Sequence, residues 1–108
     1  MKRGDLVTVA LQGERGKPRS AVVVQRTETL THTMVAICPV TSTLQSAAPL
    51  MRVTIDPLPS TGLRTVSQVM IDRVYAVQAK KIGRVIGHVD DATMAEVSRR
   101  LAFWLGIA

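Results

Sequence analysis

Aromatic side chains are scarce in this sequence: Tyr75, Phe103 and Trp104 make up 3% of its 108 residues. The core therefore has to be assembled from Val, Ile, Leu, Ala and Met, and with 46% hydrophobic residues this favours a packed β-rich domain over a disordered chain. The scarcity also argues against a non-catalytic SH3-like binding module, whose groove is normally lined by aromatic rings. Cysteine is reduced to Cys38. One thiol makes no intramolecular disulfide, and with only His32 and His88 as further soft ligands it gives no basis for a structural zinc site. No apolar run approaches the roughly 18 residues of a membrane span. Lys2-Arg3-Gly4-Asp5 leads straight into an alternating stretch, without the apolar region of a signal peptide. A reducing cytoplasm is the expected compartment, with no membrane partner. Acidic residues are in the minority, 8 against 14 Lys and Arg, for a net charge of +6. That excess points to a polyanionic partner, nucleic acid or an acidic peptide, without deciding between them.

The length suits one domain over residues 1–108. Asp5 to Leu11 opens with period-two alternation and is broken by the polar, glycine-bearing stretch Gln12 to Pro18, which reads as a strand and an exposed loop. Ser20 to Gln25 and Met34 to Val40 are short, nearly continuous apolar runs rich in β-branched residues, as central strands require. Met51 to Ile55, Thr65 to Asp72 and Val85 to Val89 supply further strands, separated by turns at 56–62 and at Lys80-Lys81. Then the period changes. Asp90 or Asp91 caps a helix with apolar positions Met94, Val97, Leu101 and Trp104 or Leu105, stopped by Gly106. The expected fold is mainly β, α+β in class: a small barrel of five to six short strands with a C-terminal α-helix.

Three stretches carry more than a fold. Arg3-Gly4-Asp5-Leu6-Val7 opens the first strand, Gly16-Lys17-Pro18-Arg19-Ser20-Ala21-Val22-Val23-Val24 follows the glycine-bearing loop, and Ser67-Gln68-Val69-Met70-Ile71-Asp72 precedes Ile86-Gly87-His88-Val89-Asp90. Their order and spacing resemble the MazF/PemK toxins over nearly the whole chain. The resemblance implies an SH3-like barrel, a two-fold homodimer, a cognate acidic antitoxin, and metal-independent cleavage of single-stranded RNA by the ribose 2′-hydroxyl. By position it implies that Arg19, Thr41 and Glu14 are catalytic. A guanidinium that stays protonated at any working pH suits the charge that accumulates on a phosphorane, and a threonine hydroxyl suits positioning of the phosphate. Lys17, Ser42, Ser67 and Gln68 are the expected substrate-binding residues. Ser67 stands where some relatives carry an acidic residue and has no basicity at neutral pH, which leaves Glu14 as the leading general base. The segment Leu101 to Ile107 resembles the tail of CcdB, a gyrase poison of the same fold, and supplies the alternative reading.

Each of these residues also has a plainer role. Arg19 and Lys17 would be ordinary surface cations, Thr41 to Thr43 an ordinary hydroxyl-rich turn, and Glu14 a solvated loop charge. Cys38 sits in an apolar run and reads as a small buried hydrophobe.

Overall fold

The alternating segments form strands because β-branched side chains lose least freedom on a pleated surface with one face buried. A computed structural model describes residues 1–10, 17–31, 33–47 and 49–107. In it the strands are β1 (Asp5–Val9), β2 (Arg19–Val23), β3 (Met34–Thr41), β4 (Arg52–Ile55), β5 (Ser67–Met70), β6 (Tyr75–Gln78) and β7 (Ile82–His88), followed by helix α1 (Asp91–Trp104). Every pairing is antiparallel, in the order β4-β5-β3-β2-β1-β7, with β6 added to β3.

The eight-residue β3 is the hub. One edge pairs with β2, while the other pairs with β6 along residues 34–37 and with β5 at Val40 and Thr41. Alternation sorts the core onto the two faces of the sheet. Val7, Val9, Ala21, Val23, Val35, Ile37 and Val77 form one buried cluster. Their odd-numbered register partners share a face, since side chains two apart in a strand point the same way. Leu6, Val22, Cys38, Val69 and Ile71 belong to the other cluster, completed by Val97 and Leu101 of α1.

The structure has seven strands where five or six were expected. The addition is β6, four residues between two 3-10 turns, which is defined by its pairing with a β3 edge some forty positions earlier in the chain. The strand expected through Asp72 stops at Met70 and passes into the turn Ile71–Arg73, and the last strand starts at Ile82 instead of Val85. No pairing joins β4 to β7 among the described residues, so the sheet is not closed as a strict barrel would be. A turn lies across the gap instead. The His88 amide donates to the Ser60 carbonyl at 2.8 Å. A Cβ at Gly62, whose φ is +71°, would overlap the Ile86 carbonyl oxygen, and one at Gly87 would overlap the backbone at Ser60 and Thr61.

Helix α1 starts and stops as its caps dictate. Asp90 Oδ1 accepts from the Thr93 amide at 2.7 Å, and hydrogen bonding from the Thr93 side chain first, and from this amide second, holds the Asp90 carboxyl below its ordinary range. At the other end Gly106, φ +75°, donates to the Phe103 carbonyl and Ile107 donates to that of Ala102, a Schellman arrangement. Val97 and Leu101 are buried, whereas Trp104, the next position on the stripe, is 43% exposed and Leu105 is 57% exposed. The apolar stripe runs one turn further than the surface it covers within this chain.

Candidate active site

Arg19 is the first residue of β2 and Thr41 the last of β3. The β2–β3 ladder pairs Ala21 with Pro39, Val22 with Cys38 and Val23 with Ile37, and Arg19 and Thr41 each lie two residues beyond its end on their own strands. Cross-strand partners share a face. Pro39 and Thr41 therefore share that face with Arg19, as does Tyr75, which pairs with Ile37. On the other edge of β3, Thr41 pairs with Gln68, which also pairs with Thr54, while Arg52 pairs with Met70. A cleft of about 700 Å³ opens over this surface, lined by Arg19, Pro39, Val40, Thr41, Thr43, Gln45, Arg52, Met70, Arg73 and Tyr75. Three of these side chains are guanidinium groups, and none is a carboxylate. A smaller hollow of about 430 Å³, bounded by Gln45, Arg52, Gln68 and Arg100 among others, adjoins it.

The loop that leaves β3 is held firmly. Thr41 Oγ1 accepts from the Thr43 amide at 3.1 Å, which uses a lone pair and leaves the hydroxyl proton for donation. The Gln68 side chain grips Gln45 at both backbone groups: Oε1 accepts from the amide at 2.9 Å and Nε2 donates to the carbonyl at 3.3 Å. Arg52 Nη1 donates to the Thr43 carbonyl at 3.1 Å and to Gln68 Oε1 at 3.3 Å. The Arg52 carbonyl in turn accepts from Arg100 Nη1 at 2.6 Å, and Arg100 is itself paired with Glu96 through Nε at 2.7 Å. Burial raises the Tyr75 phenol above its ordinary range, so it is a neutral donor at neutral pH. Cys38 lies beneath the sheet, its thiol pushed up to about 12, chiefly by burial, and is no nucleophile at neutral pH. Among the described residues no group of His, Cys, Asp or Glu is arranged to hold a metal ion.

A family model described as the PemK-like, MazF-like toxin of type II toxin–antitoxin systems matches residues 2–105. The chain belongs to that family. The probable endoribonuclease MazF of Mycolicibacterium smegmatis is 38% identical over 109 residues, covering all of this chain and 99% of that protein. The fold of the toxin is also that of Mycobacterium tuberculosis toxin MazF-mt6, with a TM-score of 0.81 at 18% identity, covering 96% of this chain and 98% of the other. MazF in a MazE–MazF crystal structure from Deinococcus radiodurans gives a TM-score of 0.81 at 23% identity, covering all of this chain and 97% of the other. These matches do not favour the CcdB-like alternative.

In this PemK/MazF-like toxin the cleft brings together Arg19 and Thr41 of the expected residues. Glu14 lies outside the described residues, as does His32. Lys17 and Ser42 are exposed next to the cleft-lining positions Arg19 and Thr41 in sequence. Gln68 is buried, engaged with Gln45, Thr54 and Arg52, and borders the smaller hollow rather than the main cleft. Ser67 is buried on the opposite face of β5 and donates to the Thr65 carbonyl at 3.0 Å. Arg52, Arg73 and Tyr75 were not anticipated. The polar positions Arg52 and Thr54 in an alternating strand signal a solvent-facing side, but only the register shows that this side faces Thr41.

Proposed function

We propose that this toxin is an endoribonuclease that cleaves single-stranded RNA in the Arg19–Thr41 cleft, by attack of the ribose 2′-hydroxyl on the adjacent phosphorus and without a metal ion. The observation that carries this reading is the cleft lining: Arg19 and Thr41 together, with Arg52 and Arg73 alongside and no carboxylate among the described lining residues. Arg19 meets the negative charge of the phosphorane bidentately, and Thr41 donates its hydroxyl proton to a phosphate oxygen, both through pre-positioned groups on paired strands. Glu14, five positions before Arg19 in the sequence, takes the 2′-hydroxyl proton, a role that the neutral Tyr75 phenol is unsuited to. The P–O5′ bond breaks, the 5′-oxygen leaves as a hydroxyl with a proton taken from water, and a 2′,3′-cyclic phosphate remains. Lys17 and Ser42 contact the flanking strand, while Gln68 acts on the substrate through the loop it braces. The 38% identity to a probable endoribonuclease supports the same activity.

The toxin works as a homodimer in the cytoplasm, and a cognate antitoxin with an acidic segment occupies the same basic cleft. The antitoxin complexes among the structural relatives support that partner, and among the described residues no helix is long and apolar enough to cross a membrane. The test is cleavage of single-stranded RNA by purified protein in EDTA, comparing wild type with Arg19→Ala. We expect EDTA to leave cleavage unchanged and Arg19→Ala to lower the rate on the order of 10²–10³-fold with its circular dichroism intact. Full cleavage by folded Arg19→Ala refutes the assignment.

A further inference from the structure

Tyr75 is the one aromatic residue of the cleft lining, and nothing in the reaction as derived above uses it. Its backbone is fixed in β6 by the ladder to Ile37 of β3, and its ring packs on the cluster formed by Val23, Val35, Ile37 and Val77. The remainder of the ring lines the cleft. Thr41 lies four positions along β3 from Ile37, the register partner of Tyr75, a span of about 13 Å at the rise of a strand. That is the span which a nucleotide flanking the scissile phosphate, with its base and the two side chains, would have to bridge. Arg73 lies two residues before Tyr75, on the turn that leads into β6, and lines the same cleft.

We infer that Tyr75 is the floor of a nucleobase subsite: a base flanking the scissile phosphate stacks on its ring while Arg73 meets that nucleotide's phosphate. Three properties suit this. An aromatic side chain on a strand offers a flat surface at little conformational cost. Stacking accepts any base while favouring those that stack best, so the subsite grades substrates rather than reading one hydrogen-bond pattern. Cationic groups on either side keep the strand extended across the ring. The inference rests on the nuclease reading of the cleft, and Tyr75 contributes binding rather than proton transfer.

The test uses short single-stranded RNAs spanning a site that the wild-type protein cuts. Tyr75→Leu keeps an apolar side chain against the cluster and removes the π face. It is expected to raise KM roughly 10- to 100-fold, with kcat moving by less than about threefold. Tyr75→Phe, which restores the ring, recovers the wild-type KM. A second measurement needs no variant: oligonucleotides with deoxyribose at the scissile position carry a fluorescent purine analogue at each flanking position in turn. Emission should fall on binding at one position and hold at the others. An unchanged KM in Tyr75→Leu, a KM that Tyr75→Phe does not recover, or quenching at no position overturns the subsite. If Arg19→Ala cuts as wild type, the nuclease reading of the cleft fails first, a result separable from the Tyr75 outcome.

Discussion

At Thr41 the proposed reaction gives one hydroxyl two purposes. Its oxygen holds the Thr43 amide at the start of the loop, and in the proposal its proton goes to the phosphate. The plain reading of a hydroxyl-rich turn and the catalytic reading are thus compatible, because an oxygen that accepts locally is thereby oriented. Substitution separates the purposes. Thr41→Ser keeps both and should retain most of the cleavage rate, whereas Thr41→Val loses both and should cut on the order of 10²-fold more slowly. Single-turnover rates with saturating protein measure this without interference from binding. Equal rates for Ser and Val would remove the hydroxyl from the mechanism. Arg19 and Thr41 were legible as residues through the family resemblance. Arg73 and Tyr75 were not, since nothing in Arg73-Val74-Tyr75 distinguishes a cleft wall from a surface turn until β6 is placed against β3.

Among the elements, those with a clear period or cap were legible and those defined by distant partners were not. The period-two run of β1, the β-branched run of β3 and the Asp90 cap of α1 each follow from a few neighbouring residues. β6 is four residues long, and its existence depends on an edge of β3 some forty positions earlier in the chain. The turn at 56–62 lies between these cases: its composition announced a turn, but not that it would lie over β7. Gly62 and Gly106 both have positive φ, yet differ in surroundings. A Cβ at Gly62 overlaps the β7 backbone, whereas one at Gly106 meets nothing within 4 Å. Gly106→Ala should therefore cost about 1 kcal/mol, the backbone strain alone, and Gly62→Ala about 3 kcal/mol or more, because the turn must also move off β7. Urea denaturation midpoints at one protein concentration give the comparison. Equal losses would show that the turn does not depend on close approach to β7.

For the whole molecule, the expected β-rich fold with a C-terminal helix was right in class and, β6 apart, in the order of its elements, but not in closure, because closure depends on which edges meet. The sequence carries no local record of that. Net charge, by contrast, needs no structure to be read, and the cleft concentrates it in Arg19, Arg52 and Arg73. Encounter with an acidic antitoxin segment or with RNA should accordingly be steered over long range, and association should slow by roughly tenfold or more between low and physiological salt. Dissociation should change less. Stopped-flow association rates across a salt series would show this, and a flat series would dismiss steering.

The order in which the cleft's parts occur along the chain has a consequence for how the protein is made. Arg19 and Thr41 lie in the first half, on strands that pair directly, whereas the brace on the Thr41 loop comes from Arg52 and Gln68, and the far wall from Arg73 and Tyr75. A ribosome therefore releases Arg19 and Thr41 before the residues that brace the loop after Thr41. A chain ending before Gln68 would carry the two side chains of the proposed reaction without the Gln68 brace or the wall formed by Arg73 and Tyr75. For an endoribonuclease toxin, that order would hold back activity until the strands after Gln68 have been made.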